Sequence, residues 1–202
     1  LIARRVRELF IYCEIHPYNN LKVDLNSFKA VILSVSPFSV RSEDALRFDL
    51  TNIKGVKPLL GVCYGAQYIA HFNGWKVISS NKREYGRAKL SKIDNSDPLF
   101  SGVQSGSQVW MSHSDTIEVL PLNAKCIAST DDVKNASYSI SDELVYGIQF
   151  HPEVVHTEQG AQILKNFVLK VCGAKQDWTM KGFIDTAVEK ILLFSIVSAM
   201  SL

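Results

Sequence analysis

A cysteine between two glycines, at the junction of an apolar run and a helical pattern, constrains this chain more than any other feature. The segment is Leu59-Leu60-Gly61-Val62-Cys63-Tyr64-Gly65-Ala66-Gln67. Pro58 to Val62 reads as a buried strand, and Tyr64 to Asn73 as a helix stopped by Gly74. A sharp strand-to-helix turn strains the backbone of its central residue and leaves little room for neighbouring side chains. Glycines on both sides answer that demand, as in the G-x-S-x-G elbow of hydrolases, and here a thiol stands where the hydroxyl would be. The following helix aims its first N–H groups and positive dipole end at the sulfur, a setting suited to negative charge.

A second segment supplies what such a nucleophile needs. Gly147-Ile148-Gln149-Phe150-His151-Pro152-Glu153 places a histidine at the end of an apolar strand and a carboxylate two residues later. Pro152 holds the chain extended or turned, so Glu153 can reach back to the imidazole. In that arrangement His151 takes the thiol proton and later protonates the leaving amine, while Glu153 fixes the ring's tautomer. Cys63, His151 and Glu153 are thus the expected catalytic residues. Strand ends are where open α/β sheets keep their active sites.

The remaining elements are read from periodicity and punctuation. Helices are expected over Leu1 to Phe10, Ser42 to Ile53 with Ser42 as N-cap, and Thr157 to Val171 with Gly173 as its stop. Strands are expected over Ile11 to Ile15, Ala30 to Leu33, Trp75 to Ser79, Ala88 to Ile93, Val109 to Met111, Lys125 to Ser129, Ala136 to Ser141 and Leu144 to Phe150. The last two form a hairpin about Ser141-Asp142-Glu143. Alternating elements first and hairpin strands later imply an α/β fold: three layers, a mostly parallel mixed sheet, and helices on both faces.

Composition narrows the partners. With 22 Lys and Arg against 20 Asp and Glu, the net charge is +2, and no basic run supports nucleic-acid binding. The four cysteines, Cys13, Cys63, Cys126 and Cys172, include no C-x-x-C pair, so neither a zinc site nor a disulfide framework is indicated. Cys13, Cys126 and Cys172 read as buried, inert thiols. A reducing, cytoplasmic setting is expected. The first nine residues carry Arg4, Arg5, Arg7 and Glu8 and do not read as a signal peptide. The apolar stretch Ile191 to Leu202 is too short to span a bilayer, so no membrane partner is expected.

G-V-C-Y-G-x-Q together with Y-G-x-Q-F-H-P-E resembles the class I (triad) glutamine amidotransferases, which are flavodoxin-like. Within that family, Ser80-Asn81-Lys82-Arg83-Glu84-Tyr85-Gly86, Val109-Trp110-Met111-Ser112-His113-Ser114-Asp115 and His151-Pro152-Glu153-Val154-Val155-His156-Thr157 are similar to the glutaminase domains of the GMP synthases. The resemblance extends from Leu1 to about Thr186. It implies that Cys63 attacks the side-chain amide of L-glutamine, releasing ammonia for amination of XMP by an ATP-pyrophosphatase (synthetase) domain. It further implies that Gln67 and a Ser112-His113-Ser114-Asp115 turn hold the glutamine backbone. The N–H groups of Tyr64 and Ser36 would form the oxyanion hole, and Arg83 and Glu84 would meet the synthetase domain. No cofactor is implied for the glutaminase domain itself; ATP and Mg²⁺ belong to the synthetase part. A triad glutaminase serving anthranilate, carbamoyl phosphate or CTP synthesis is an alternative, argued against by Ser80 to Gly86 and His156-Thr157. A binding or regulatory module that kept the triad is another.

Three departures from the family pattern carry expectations. The oxyanion loop reads Ser34-Val35-Ser36-Pro37 where the family has S-G-G-P or S-G-S-P. A β-branched Val35 resists positive φ, so if the loop needs that conformation the Ser36 donor is misaimed and the glutaminase weak. The family's first strand and its turn, which precede the Leu1 to Phe10 helix, have no counterpart here, so a sheet edge should lie uncovered. Residues 1–175 are then the glutaminase domain. Residues 176–202 are a linker and the start of a synthetase part, with no phosphate-binding loop before Leu202.

Overall fold

Leu59, Leu60 and Val62 are fully buried, and they build the strand on which the rest of the sheet is assembled. A computed structural model describes residues 1–19, 24–182, 184 and 188, and of residues 81–84 the backbone alone. In chain order the elements are α1 (Ile2–Arg7), β1 (Val31–Leu33), β2 (Leu59–Val62), α2 (Tyr64–Phe72), β3 (Val77–Ile93), β4 (Gln108–Ile117), β5 (Lys125–Thr130), β6 (Ser137–Ile140), β7 (Val145–Ile148) and α3 (Gly160–Lys165). A π-helical stretch, Asn166–Val171, continues α3. Gly74 and Gly173 stop the two longer helical stretches at φ +72° and +58°.

The described strands form one sheet in the order β1-β2-β7-β6-β5-β3-β4. Strands β1, β2 and β7 run parallel, with Leu33 beside Gly61 and Gly61 beside Gly147. The β7-β6, β6-β5, β5-β3 and β3-β4 pairs are antiparallel. The sheet is mixed as expected, but its parallel part is confined to two of these six pairings.

Alternation along β2 divides the apolar residues between two cores. Leu60 and Val62 point to a core shared with Val6 of α1 and with Ile163, Leu164 and Phe167. Leu59 points to the other, with Tyr64, Ala66 and Ile69 of α2 and Tyr138 of β6. Helices therefore cover both faces, and the three-layer arrangement stands.

Several expected elements differ. Residues 42–53 form isolated turns instead of a helix, and Ser42 Oγ donates to the Ser39 carbonyl (2.8 Å) instead of capping. The cause is competition from α2. The Tyr64 hydroxyl donates to the Leu46 carbonyl (2.7 Å), and Phe48 donates its N–H to the Tyr68 hydroxyl (2.7 Å), so these backbone groups are spent on tyrosines. Residues 11–15 make no strand; Ile11 is buried against the core, and the Arg7 guanidinium holds the Cys13 carbonyl (2.5 Å). The two strands expected at 75–79 and 88–93 are parts of the single strand β3, which pairs with β4 at one stretch and β5 at the other. The helix expected from Thr157 begins at Gly160.

Beside β1, which pairs only with β2 among the described strands, lies an apolar cavity of about 480 Å³ lined by residues including Ile2, Ile11, Val31, Leu33 and Tyr68. The apolar stretch at 191–202 lies outside the described residues. Among the described residues no helix is long and apolar enough to cross a membrane.

Candidate active site

The β2-α2 junction sets the nucleophile. Cys63 has φ +52° and ψ −106°, a conformation few non-glycine residues take. Its neighbours are glycines because of close approach. A Cβ on Gly61 would lie 2.5 Å from the Ala66 nitrogen, and one on Gly65 would lie 2.4 Å from the Leu33 carbonyl oxygen. The turn is therefore folded back on itself and pressed against β1. Cys63 is 5% exposed, and its Sγ lies 3.6 Å from the Ser112 carbonyl oxygen of β4. The first intrahelical bond of α2 runs from Gln67 N–H to the Cys63 carbonyl (3.2 Å). Tyr64 N–H is thus one of the donors a helix start leaves uncommitted.

His151 follows the end of β7. Its N–H donates to the Trp110 carbonyl (2.9 Å), which ties it to β4. Thr157 completes the mounting: its hydroxyl donates to the His151 carbonyl (2.5 Å) and accepts from Trp110 N–H (3.0 Å). The His156 ring packs on the Trp110 indole, centroids 4.7 Å apart. His151 Nδ1 lies 2.9 Å from Glu153 Oε1, and Glu153 is 4% exposed. Arg5 of α1 donates to the Glu153 backbone carbonyl (3.1 Å).

Burial works against a charged His151. The neighbouring Glu153 carboxyl, hydrogen-bonded to Nδ1, and the nearby Cys63 outweigh it, and the imidazole is pushed up to about 10. A proton on His151 puts a charged general acid in the site with the Cys63 nucleophile. Cys63, His151 and Glu153 are therefore brought together from β2, β7 and the turn after it.

A family comparison agrees with that geometry. Residues 1–171 match the family model described as glutamine amidotransferase class-I. The chain belongs to the class I glutamine amidotransferases. It is 57% identical over 191 residues to a glutamine-hydrolysing GMP synthase of Christiangramia forsetii, and 56% identical to one of Phocaeicola vulgatus. These alignments cover 95% of this chain and 38% and 37% of those relatives, so the chain spans under two-fifths of their length. Among solved structures, a GMP synthase subunit of Thermoplasma acidophilum, described as putative, is similar at 35% identity and TM-score 0.55, over 58% of each chain. A glutamine amidotransferase of Thermotoga maritima shares the fold at TM-score 0.61 and 17% identity, over 76% of this chain and 82% of that one.

In this amidotransferase the other expected site residues fall into two groups. Gln67 is buried, and its side-chain N–H donates to the Asp115 carbonyl (2.7 Å). Ser112 to Asp115 do not form a turn; they lie within β4. Alternation turns His113 and Asp115 to the buried side and leaves Ser114 exposed. What Ser112 offers Cys63 is its backbone. The Asp115 carboxylate is 2% exposed and already engaged: Arg41 holds Oδ1 (2.9 and 3.2 Å), and Ser39 donates to Oδ2. Burial pushes His113 below the ordinary histidine value.

Ser36 accepts the Phe38 N–H on its hydroxyl (3.2 Å). Val35, 42% exposed, does not adopt positive φ; Phe10, Cys63 and Leu144 are the non-glycine residues that do among those described. The Ser34–Pro37 loop is therefore unstrained at Val35, where the φ is one that any residue can take. The side chains of Arg83 and Glu84 are not among those described. Cys126 is exposed, which corrects the expectation that the three other cysteines are buried; Cys13 and Cys172 are half-buried. Burial pushes Cys172 up to about 12 and raises Cys13 as well. Among the described residues no group of three or more His, Cys, Asp or Glu could hold a metal ion.

Residue typing missed Thr157, Trp110, Ser39 and Arg41 as parts of the site. The first two lay inside quoted motifs, but a hydroxyl bridging two backbone groups leaves no spacing signal. Arg41 sits in a stretch that reads as the approach to a helix, and only tertiary structure joins it to Asp115.

Proposed function

We propose that this chain is the glutaminase unit of a GMP synthase. Its reaction is hydrolysis of L-glutamine to glutamate, and its ammonia goes to an ATP-pyrophosphatase unit that aminates XMP. The observation that carries the proposal is the assembly of Cys63, strained at the start of α2, with the His151–Glu153 pair.

The chemistry follows from the parts. The Cys63 thiolate attacks the amide carbon, and the oxygen takes the negative charge. Tyr64 N–H, and Ser36 N–H once aimed, are the donors proposed to meet it. His151 gives its proton to the amide nitrogen, the C–N bond breaks, and ammonia leaves a γ-glutamyl thioester on Cys63. The neutral His151 then takes a proton from water, which attacks the thioester and releases glutamate and the thiolate. Glu153 holds the ring with Nδ1–H toward itself and Nε2 toward the sulfur. Gln67 is proposed to border the glutamine pocket. ATP and Mg²⁺ are assigned to the synthetase unit and to none of the residues above.

The identity of over one half to two GMP synthases supports this pathway over anthranilate, carbamoyl phosphate or CTP synthesis. The test is treatment with 6-diazo-5-oxo-norleucine and location of the adduct by mass spectrometry. Labelling at Cys63, absent in Cys63→Ala, is the expected result; a folded protein that stays unlabelled overturns the proposal. Addition of a GMP synthase synthetase unit with XMP, ATP and glutamine should then yield GMP, and no product would overturn the pathway.

A further inference from the structure

The residue after the nucleophile makes a side-chain bond in which no step of the reaction takes part. Cys63 is held at φ +52° and ψ −106°, a sparsely populated conformation that persists only where its surroundings hold it. On the β2 side the hold is its own N–H, which donates to the Ile148 carbonyl of β7 (2.7 Å). On the α2 side the backbone hold is longer, from the Gln67 N–H to the Cys63 carbonyl at 3.2 Å. Neither Gly61 nor Gly65 has a side chain to add to it. Tyr64 does, and its hydroxyl donates to the Leu46 carbonyl (2.7 Å), 18 residues earlier in the chain.

The far end of that bond is firm. Leu46 and Phe48 pack against the core that holds α2, and Val40 and Leu50 on either side of them are fully buried. Tyr68 grips the same segment by another route: its hydroxyl accepts the Phe48 N–H (2.7 Å) and donates to the Phe48 carbonyl. The buried Tyr64 ring lies nearly parallel to the Tyr68 ring, centroids 6.2 Å apart, so it stays packed with or without its hydroxyl. Burial raises the Tyr64 phenol above its ordinary value, which keeps it a donor at neutral pH. What the hydroxyl adds is a fixed position for the first residue of α2, and so for the peptide between Cys63 and Tyr64. Rotation about the Cys63 ψ bond swings the N–H of that peptide. It leaves the sulfur in place, because the sulfur hangs on Cβ.

We propose that Tyr64 is a positioning residue for glutamine hydrolysis, its hydroxyl tethered to the Leu46 carbonyl so that its own backbone N–H stays aimed at the oxyanion. The irregular form of residues 42–53 then has a use. A helix there would commit the Leu46 carbonyl to the N–H four residues on, and the turns leave it for the tyrosine. The proposal rests on the glutaminase reading above.

The test compares wild type, Tyr64→Phe and Tyr68→Phe. Tyr64→Phe keeps the stacked ring and removes one hydrogen bond, at the elbow; Tyr68→Phe removes two, both to Phe48. Thermal melts should therefore show the larger fall for Tyr68→Phe. Glutamine turnover should show the reverse order. Tyr64→Phe should lower kcat about 10- to 100-fold, as for a donor displaced by an ångström or less, and Tyr68→Phe should stay within about threefold of wild type. KM should stay within about threefold in both, because the oxyanion contact exists only in the transition state. Iodoacetamide, whose displacement reaction forms no oxyanion, should alkylate Cys63 of Tyr64→Phe at the wild-type rate. A kcat that follows the order of the melts overturns the proposal, since a merely structural hydroxyl would give that result. An alkylation rate that falls along with kcat also overturns it, because the damage would then lie at the thiol. A wild-type chain that neither turns over glutamine nor is labelled by the diazo ketone, while iodoacetamide still alkylates Cys63, would instead sink the glutaminase reading, and the tether's role falls with it.

Discussion

His151 Nδ1 and Glu153 Oε1 lie 2.9 Å apart, and the carboxylate that fixes the ring is itself buried. The contact gives Glu153 one role, to hold the imidazole with its other nitrogen toward Cys63 and to favour its charged form. Glu153→Gln preserves shape and removes the charge. It should lower glutamine turnover by about 100- to 10,000-fold, the range seen when a triad loses its orienting carboxylate. Steady-state glutamate release checks this, and a loss under tenfold would show that the ring is oriented by something else.

The same pair sets a pH dependence, with a second histidine of opposite sign. The His151 folded value, about 10, lies above the ordinary histidine value. The stability it contributes is complete below about pH 6.5 and is lost as pH rises toward 10. His113 is lowered by burial, so the stability it contributes is present above about pH 6.5 and is lost on acidification. Urea midpoints measured from pH 5 to 10 should therefore fall at both ends. His151→Gln should flatten the alkaline limb and His113→Gln the acid limb; unchanged limbs in both variants would refute the assignment.

Much of this was legible in the sequence, and what was not has a physical reason. The elbow announces itself because close approach at Gly61 and Gly65 excludes side chains, and that leaves a composition signal. His151 and Glu153 are near neighbours, so spacing suffices. The helix expected at residues 42–53 failed because Tyr64 and Tyr68 claim the backbone groups of Leu46 and Phe48, a tertiary effect that local pattern does not carry. Ser112 to Asp115 resembled a turn by family pattern, yet strand alternation points their side chains to opposite faces. Arg41 and Asp115 are far apart in the chain, and an ion pair of that kind leaves no periodicity.

Gly65 carries a stability prediction. An alanine there would place Cβ 2.4 Å from the Leu33 carbonyl oxygen and 2.8 Å from Leu33 Cβ, so α2 must move off β1. Overpacking of this sort costs about 1–3 kcal/mol. Gly74→Ala meets no atom within 4 Å and suffers only from its φ of +72°, a strain of about 1 kcal/mol. Thermal melts should rank Gly65→Ala as the less stable of the two. Because α2 carries the N–H proposed as an oxyanion donor, Gly65→Ala should also lose activity, and Gly74→Ala should keep it.

Thr157 is a test of how the histidine is mounted. Its hydroxyl accepts from Trp110 N–H and donates to the His151 carbonyl. Thr157→Val keeps the shape, strands a buried backbone N–H at a cost of about 1–3 kcal/mol, and frees the carbonyl that anchors the catalytic ring. Turnover should fall with little change in KM, and Thr157→Ser should restore it. Equal kinetics in Thr157→Val and wild type would show that the Trp110–His151 backbone bond is sufficient by itself.

Val35 is not strained, since its φ is not positive, but it bears on the proposed oxyanion role of the Ser34–Ser36 loop in another way. What it withholds is the alternative: a β-branched side chain closes the left-handed region, so the loop cannot reorient the Ser36 N–H through that route when an oxyanion forms. Glycine reopens it. Val35→Gly should raise the rate of thioester formation, and the gain is bounded by the value of one oxyanion donor, about 100- to 1,000-fold. It should do so without moving the KM for glutamine, because the added interaction exists only in the transition state. Single-turnover measurement of the glutamyl thioester on Cys63 is the direct readout. If the two proteins form it at the same rate, the Ser36 N–H is already in place in the wild-type loop.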